Sequence, residues 1–121
     1  MSNANSITNR KIFDAIRETE RDGHLTDRRS EGLSGLWGAR TVGLLQRLAK
    51  IYEDVPDACY LEIGVFQGLT LVSTALEAPD LPCFGVDNFA TLDPGGENRA
   101  IVDDRIDRFG ARNAELINSD F

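Results

Sequence analysis

The sequence predicts an α/β fold built on a three-stranded parallel sheet. Short apolar runs at residues 59–65, 83–86 and 114–117 alternate with segments whose apolar residues recur at helical spacing. Strands that alternate with helices in this way pair in parallel through right-handed crossovers. The first run, Tyr60-Leu61-Glu62-Ile63-Gly64-Val65-Phe66-Gln67-Gly68-Leu69-Thr70, also ends in a glycine turn and passes straight into a helix. That arrangement builds a ligand site at the carboxyl edge of a parallel sheet.

Taken in order, residues 6–22 carry Ile12, Phe13 and Ile16 on one side among charges, which predicts an amphipathic helix. Ser6 or Asn9 is its candidate cap and Gly23 its stop. Met1 to Asn5 carries no structural signal, and residues 23–35 read as a polar linker. A second helix is predicted over residues 36–53, with Thr41, Leu44, Leu45, Leu48, Ile51 and Tyr52 at i, i+3, i+4, i+7 spacing, ended by Pro56 and Asp57. Residues 59–65, broken only by Glu62, fit a strand covered on both faces.

Helical spacing returns over residues 68–77 with Leu69, Val72, Ala75 and Leu76, and Pro79 and Pro82 bracket the next turn. The second strand, residues 83–86, ends at Asp87-Asn88-Phe89, and residues 92–96 form a turn rich in Asp, Pro and Gly. Residues 97–109 predict a helix with Ile101, Ile106 and Phe109 inward, and residues 114–117 a third strand ending at Asn118-Ser119-Asp120-Phe121. Two units result: an N-terminal helical segment, 1–57, and a β-α-β-α-β half-domain, 58–121.

The chain is long enough for a single core. Its apolar content of 41% and charged content of 27% are those of a soluble globular protein. A net charge of -7 and a pI near 4.6 argue against binding nucleic acid or an anionic membrane, both of which need clustered Lys and Arg. Arg28-Arg29, flanked by Asp27 and Glu31, reads as solvated surface. Cys59 and Cys83 read as buried free thiols of a reducing compartment, and without a signal-peptide or membrane-spanning stretch the expected location is cytoplasmic. His24, the only histidine, reads as a surface residue without metal-ligand neighbours, so no metal is expected. Trp37 reads as a core or interface residue, with a pocket cover as the alternative.

Three strand ends bear polar residues suited to a ligand: Glu62 with residues 64–68, Asp87, and Ser119 with Asp120. Asp87 follows Gly64 by 23 residues, a spacing that suits a carboxylate accepting hydrogen bonds from a ribose diol. A dinucleotide fingerprint needs a second glycine where this chain has Phe66, and a phenyl group there argues against close approach of a pyrophosphate. A phosphate-binding P-loop is excluded because no Gly-Lys-Ser or Gly-Lys-Thr occurs. A nucleoside without phosphates fits better, and Glu62 could help neutralise an ammonium group on it. The bland alternatives are that the two glycines only permit tight packing, that Asp87 caps a turn, and that Asp120 is ordinary loop chemistry.

At these residues the chain resembles the class I S-adenosylmethionine-dependent methyltransferases, and most of all their small-molecule O-methyltransferase-like branch. Leu61-Glu62-Ile63-Gly64-Val65-Phe66-Gln67-Gly68 is similar to that family's first motif, Gly85-Val86-Asp87-Asn88-Phe89 to its second, and Leu116-Ile117-Asn118-Ser119-Asp120 to its third strand and turn. The resemblance covers residues 58–121, about half of the chain. It implies a Rossmann-like sheet in the order 3-2-1, part of a seven-stranded fold, and S-adenosylmethionine as cofactor. Glu62, Gly64, Val65, Phe66, Gln67 and Gly68 would then surround the methionine part. Asp87 would bind the ribose, Asn88 and Phe89 would border the adenine, and Ser119 and Asp120 would lie near its amine.

The family's later strands, which supply acceptor-side and catalytic residues, have no counterpart here. The expectation is therefore a fragment carrying the cofactor-binding half of a methyltransferase for a small-molecule acceptor, inactive alone, with its catalytic residues unknown. An exposed first strand would invite a homo-oligomer or a domain-swapped dimer. The rival readings are a non-catalytic Rossmann-like interaction module completed by a partner chain and, disfavoured by Phe66, a nicotinamide-dependent oxidoreductase.

Overall fold

In the computed structural model, which describes residues 3–120, helices α1 (Asn3–Asp22) and α2 (Ala39–Tyr52) precede β1 (Tyr60–Ile63), α3 (Leu69–Glu77), β2 (Cys83–Asp87), α4 (Asn98–Phe109) and β3 (Ala114–Asn118). Met1, Ser2 and Phe121, at the outer ends of the two predicted units, lie outside the described residues. The three strands form one parallel sheet in the order β1-β2-β3, with β2 central. Register sets Tyr60, Cys83 and Ala114 side by side, then Glu62, Gly85 and Leu116.

The core lies between one face of this sheet and α3. Every residue of α3 from Leu69 to Ala75 is buried, because the helix touches α2 and α4 as well as the sheet. Its polar positions are accordingly the small Thr70, Ser73 and Thr74. Leu71 and Val72 are fully buried, and such side chains contribute about 1.5–3 kcal/mol each. Gly85 makes the close approach work. A Cβ there would stand 2.7 Å from Val65 Cγ2 and 2.8 Å from Leu71 Cδ2.

Several sequence expectations are corrected. The β1 strand is not covered on both faces: Leu61 and Ile63 are 56% and 59% exposed, and Ile117 of β3 is exposed with them. Side chains alternate across a strand, and α3 packs only on the face that holds Tyr60, Glu62, Cys83 and Gly85. In α1, Phe13 and Ile16 are exposed, whereas Ala15 and Thr19 are buried. Small residues win this face because α1 lies close to α2, with the Gly23 carbonyl against Gly43.

The buried face of α2 likewise holds Val42, Gly43, Gln46, Arg47 and Ala49, while Thr41 and Tyr52 are exposed. Gln46 is buried because it ties down the linker. Its Oε1 accepts from the amides of Leu25 and Thr26, and its Nε2 donates to the Thr26 carbonyl. Arg47 donates to Thr19 Oγ1 and to the carbonyls of Gly23 and Gly43. The fully buried side of α4 is Asn98, Val102 and Arg105, with Ile101, Ile106 and Phe109 only half-buried.

In the linker, Arg28 is not solvated surface. It pairs with Glu77 of α3 at 3.0 Å, both side chains being largely buried. His24 is also mostly buried, 3.8 Å from the Asp27 carboxylate. Trp37 is exposed and precedes α2, which starts later than predicted, after Gly38. Cys83 is buried, its thiol pushed up to about 12 by burial, but Cys59 is exposed. Among the described residues no helix is long and apolar enough to cross a membrane.

Candidate functional site

The chain leaves β1 at Ile63 and turns through residues 64–68 into α3. Gly64 has φ 89° and Gly68 φ 84°, left-handed values that glycine adopts without strain. Gly64 donates to the Val86 carbonyl at 2.8 Å, which pins the turn to β2. A Cβ on Gly64 would meet nothing within 4 Å, so its face of the backbone is open. Gly68 faces inward, where a Cβ would stand 3.1 Å from Val102 of α4.

Between them Phe66 also has a positive φ, 52°. A side chain in this region costs about 1–2 kcal/mol, so something must hold it there. Asp87, the last residue of β2, does so. Its Oδ2 accepts from the amides of Val65 at 2.8 Å and Phe66 at 3.1 Å, and its Oδ1 accepts from the Phe89 amide at 2.8 Å. Partial burial pushes the carboxyl up, but the amides of Phe89, Phe66 and Val65 outweigh it and hold Asp87 below the usual carboxylate range. The residue is therefore charged at neutral pH and organises two turns at once.

Glu62 lies beneath the turn on the helix-covered face. Its Oε1 accepts from Tyr60 Oη at 2.6 Å and from Thr70 Oγ1, while its Oε2 is buried without a hydrogen-bond partner. Burial raises its pKa, against the opposing pull of the Thr70 and Tyr60 hydroxyls, and the nearby Asp87 charge raises it further. A buried acceptor with an unused lone pair is costly to keep and marks a place where a donor would be welcome.

A cleft of about 380 Å³ opens over the turn, lined by Gly64, Phe66, Asp87, Asn88, Thr91 and Leu92. Four of these are predicted site residues. Thr91 and Leu92 were not predicted; the one signal was an apolar residue standing at the head of a polar Asp-Pro-Gly loop.

The remaining predicted residues are not among those lining the cleft. Val65 is in the core and Phe89 packs against it. Gly68 is buried, and Gln67 points its amide to Asn98 at 3.1 Å. Ser119 and Asp120 are exposed beyond β3 and connect to the site indirectly. The Ser119 amide donates to the Asp87 carbonyl, and Asn88 Nδ2 donates to Asp120 Oδ1 at 2.8 Å.

The arrangement offers an open backbone face at Gly64, an anionic acceptor at Asp87 and apolar walls at Phe66 and Leu92. A carboxylate has about four acceptor positions, and three of Asp87's are occupied by amides, which leaves one on Oδ1. No protein-family model matches the chain, and comparison with curated proteins and with solved structures gave no match either.

Proposed function

We propose that the cleft at residues 64–68 binds S-adenosylmethionine and that the chain is the cofactor-binding part of a class I methyltransferase acting on a small molecule. The observation that carries the reading is the juxtaposition at one carboxyl edge of the open Gly64 backbone and the Asp87 carboxylate, over a cleft of about 380 Å³. That volume lies within the usual range of small-ligand sites, about 300–1,000 Å³. The cleft has no lysine or arginine among its lining residues, which suits a ligand without phosphates.

The free acceptor position on Asp87 Oδ1 fits one ribose hydroxyl, a narrower role than gripping both. Phe66 and Leu92 suit the apolar body of the ligand. Glu62, with its unpartnered Oε2 below the turn, contributes negative potential toward a sulfonium or ammonium group. The cofactor supplies an activated methyl group, and this part of the chain supplies binding and orientation.

Isothermal titration of S-adenosylhomocysteine into the chain tests the reading, with NAD as the competitor ligand. Binding of S-adenosylhomocysteine, weakened by Asp87→Asn, is the expected result. Heat from NAD and none from S-adenosylhomocysteine would transfer the site to nicotinamide chemistry.

A second reading, a non-catalytic module completed by a partner, is favoured by one observation. Leu61, Ile63 and Ile117 form an apolar sheet face that no described helix covers. Parallel sheets ordinarily have both faces covered.

A further inference from the structure

Among the described residues, four non-glycine residues have a left-handed φ. Three of them lie in the two segments that wall the cleft: Phe66 at 52° in the glycine turn, and Phe89 at 55° and Leu92 at 58° in the loop between β2 and α4. L side chains rarely adopt this conformation, and three together persist only where neighbouring groups hold them. The Asp87 carboxylate holds Phe66 and Phe89 through their amides. Leu92 is 66% exposed, so packing does not hold it, and its support comes from another side chain, Asn98.

Asn98, the first residue of α4, is 5% exposed and uses both ends of its amide. Its Nδ2 donates to the Leu92 carbonyl at 2.9 Å, and its Oδ1 accepts from Gln67 Nε2 at 3.1 Å. A carbonyl can only accept, so Nδ2 has to face Leu92, and that leaves Oδ1 for Gln67. The backbone amides of Glu97 and Asn98 donate to Asp93 Oδ1 at 2.9 and 3.1 Å, which closes the loop from Leu92 to Asn98 on itself. Gln67 follows Phe66 in the turn. Its carbonyl accepts from the buried Arg105 at 2.7 Å, and the same arginine nitrogen donates to the Ser34 carbonyl at 2.8 Å. The turn's end of the bridge is thus anchored in the linker as well.

The cleft is therefore bridged twice. Asp87 joins the amides of Val65 and Phe66 to that of Phe89, and Asn98 joins Gln67 to Leu92. Phe66 and Leu92, the apolar walls, stand on opposite ends of the second bridge. Neutral hydrogen bonds of this kind add little net stability, but they fix the separation of the walls before a ligand arrives and so lower the ordering cost of binding.

We infer that Asn98 is a positioning residue for the ligand: through Gln67 and Leu92 it holds the glycine turn and the β2–α4 loop at the separation the ligand needs, without touching the ligand itself. The inference rests on the reading of the cleft as an S-adenosylmethionine site.

Isothermal titration of S-adenosylhomocysteine tests it on wild type, Gln67→Met, Asn98→Ala and the double variant, each checked for folding by chemical denaturation. Gln67→Met keeps the length of the side chain and deletes the donor, and a loss of affinity of about fivefold is expected, the equivalent of one hydrogen bond. Asn98→Ala opens both bonds, with an expected loss of about tenfold. The double variant should bind as Asn98→Ala alone does, because Gln67 then has no partner left to lose. Gln67→Met binding as tightly as wild type would confine Asn98 to starting α4 and overturn the inference. Additive losses would overturn it too, by making Gln67 a direct ligand contact. Should Asn98→Ala unfold, Asn98→Asp takes its place: it keeps an acceptor for Gln67 and turns an oxygen toward the Leu92 carbonyl, so weakened binding supports the inference and unchanged binding overturns it. Absence of binding to the wild type overturns the methyltransferase reading itself, and the inference with it.

Discussion

Asp87 accepts a hydrogen bond from the Phe66 amide at 3.1 Å while Phe66 sits at φ 52°, so a carboxylate at the end of β2 fixes a left-handed residue in the turn after β1. This couples the two halves of the candidate site. Asp87→Ala removes the acceptor of three amides, and the expected loss is about 2–4 kcal/mol in chemical denaturation. Asp87→Asn keeps the shape and one good acceptor, and it loses about half as much. The pH dependence has a definite sign. The folded carboxyl lies below its ordinary value of 3.8, so its contribution is fully present above that pH and is lost as the pH falls through the folded value. A wild-type acid transition that Asp87→Asn does not flatten would contradict this.

Gly85 opposes Glu62 and Leu116 across the sheet and gives Val65 and Leu71 their room. Gly85→Ala places a methyl group 2.7 Å from Val65 Cγ2, and overpacking of this kind costs about 1–3 kcal/mol. Val65→Ala in the same chain relieves the part of the clash that Val65 makes, leaving the approach to Leu71 Cδ2 at 2.8 Å, so the double variant is expected to be less destabilised than the sum of the singles. Strict additivity in a double-mutant cycle would show that the contact carries no strain.

These two residues show what was legible in the sequence. The α/β alternation, the glycine turn and the acid at the second strand end were readable because they depend on local periodicity and on spacing along the chain. Gly85 carries no such signal, because its need for space comes from Val65 of the glycine turn and Leu71 of α3, both distant in sequence. The helix faces were misread for a related reason. Apolar counting put Phe13 and Ile16 inside, but close approach of α1 and α2 selects Ala15, Thr19 and Gly43. Gln46, Arg47 and Arg105 are buried because each caps carbonyls or amides of the linker, a role with no period to read. Leu92 became part of the cleft only through the fold of a loop whose composition signals nothing but a turn.

Glu62 predicts a trade between stability and binding. Its folded pKa is raised above 4.5, so the folded state binds the proton more tightly than the unfolded chain. Stability contributed by this group therefore falls as pH rises from 4.5 through the raised folded value. Glu62→Gln leaves an oxygen for Tyr60 and Thr70 and removes the buried charge. At pH 8 the variant is expected to be more stable than wild type, because no charge has to be held away from water, and the advantage should vanish near pH 4, where the Glu62 carboxyl is itself neutral. Its affinity for S-adenosylhomocysteine should fall at the same time. A variant that loses stability at pH 8 would assign Glu62 to the scaffold instead of the site.

The bare sheet face gives the sharpest test between the two functional readings. Leu61, Ile63 and Ile117 are exposed on one side of a parallel sheet, and β1 is at its edge. If a second copy covers this face, light scattering behind size-exclusion chromatography should find a dimer that Leu61→Lys and Ile63→Lys convert to monomer. Each lysine moves the net charge from -7 toward zero, a change that ordinarily favours association. Dissociation on adding lysine would therefore report the loss of apolar contact and not charge repulsion. Because both side chains already stand in solvent, the variants should unfold within about 0.5 kcal/mol of the wild-type protomer once the dimer's contribution is subtracted. A wild-type chain that stays monomeric at high concentration would exclude self-association through this face and leave the cofactor-binding reading as the stronger of the two.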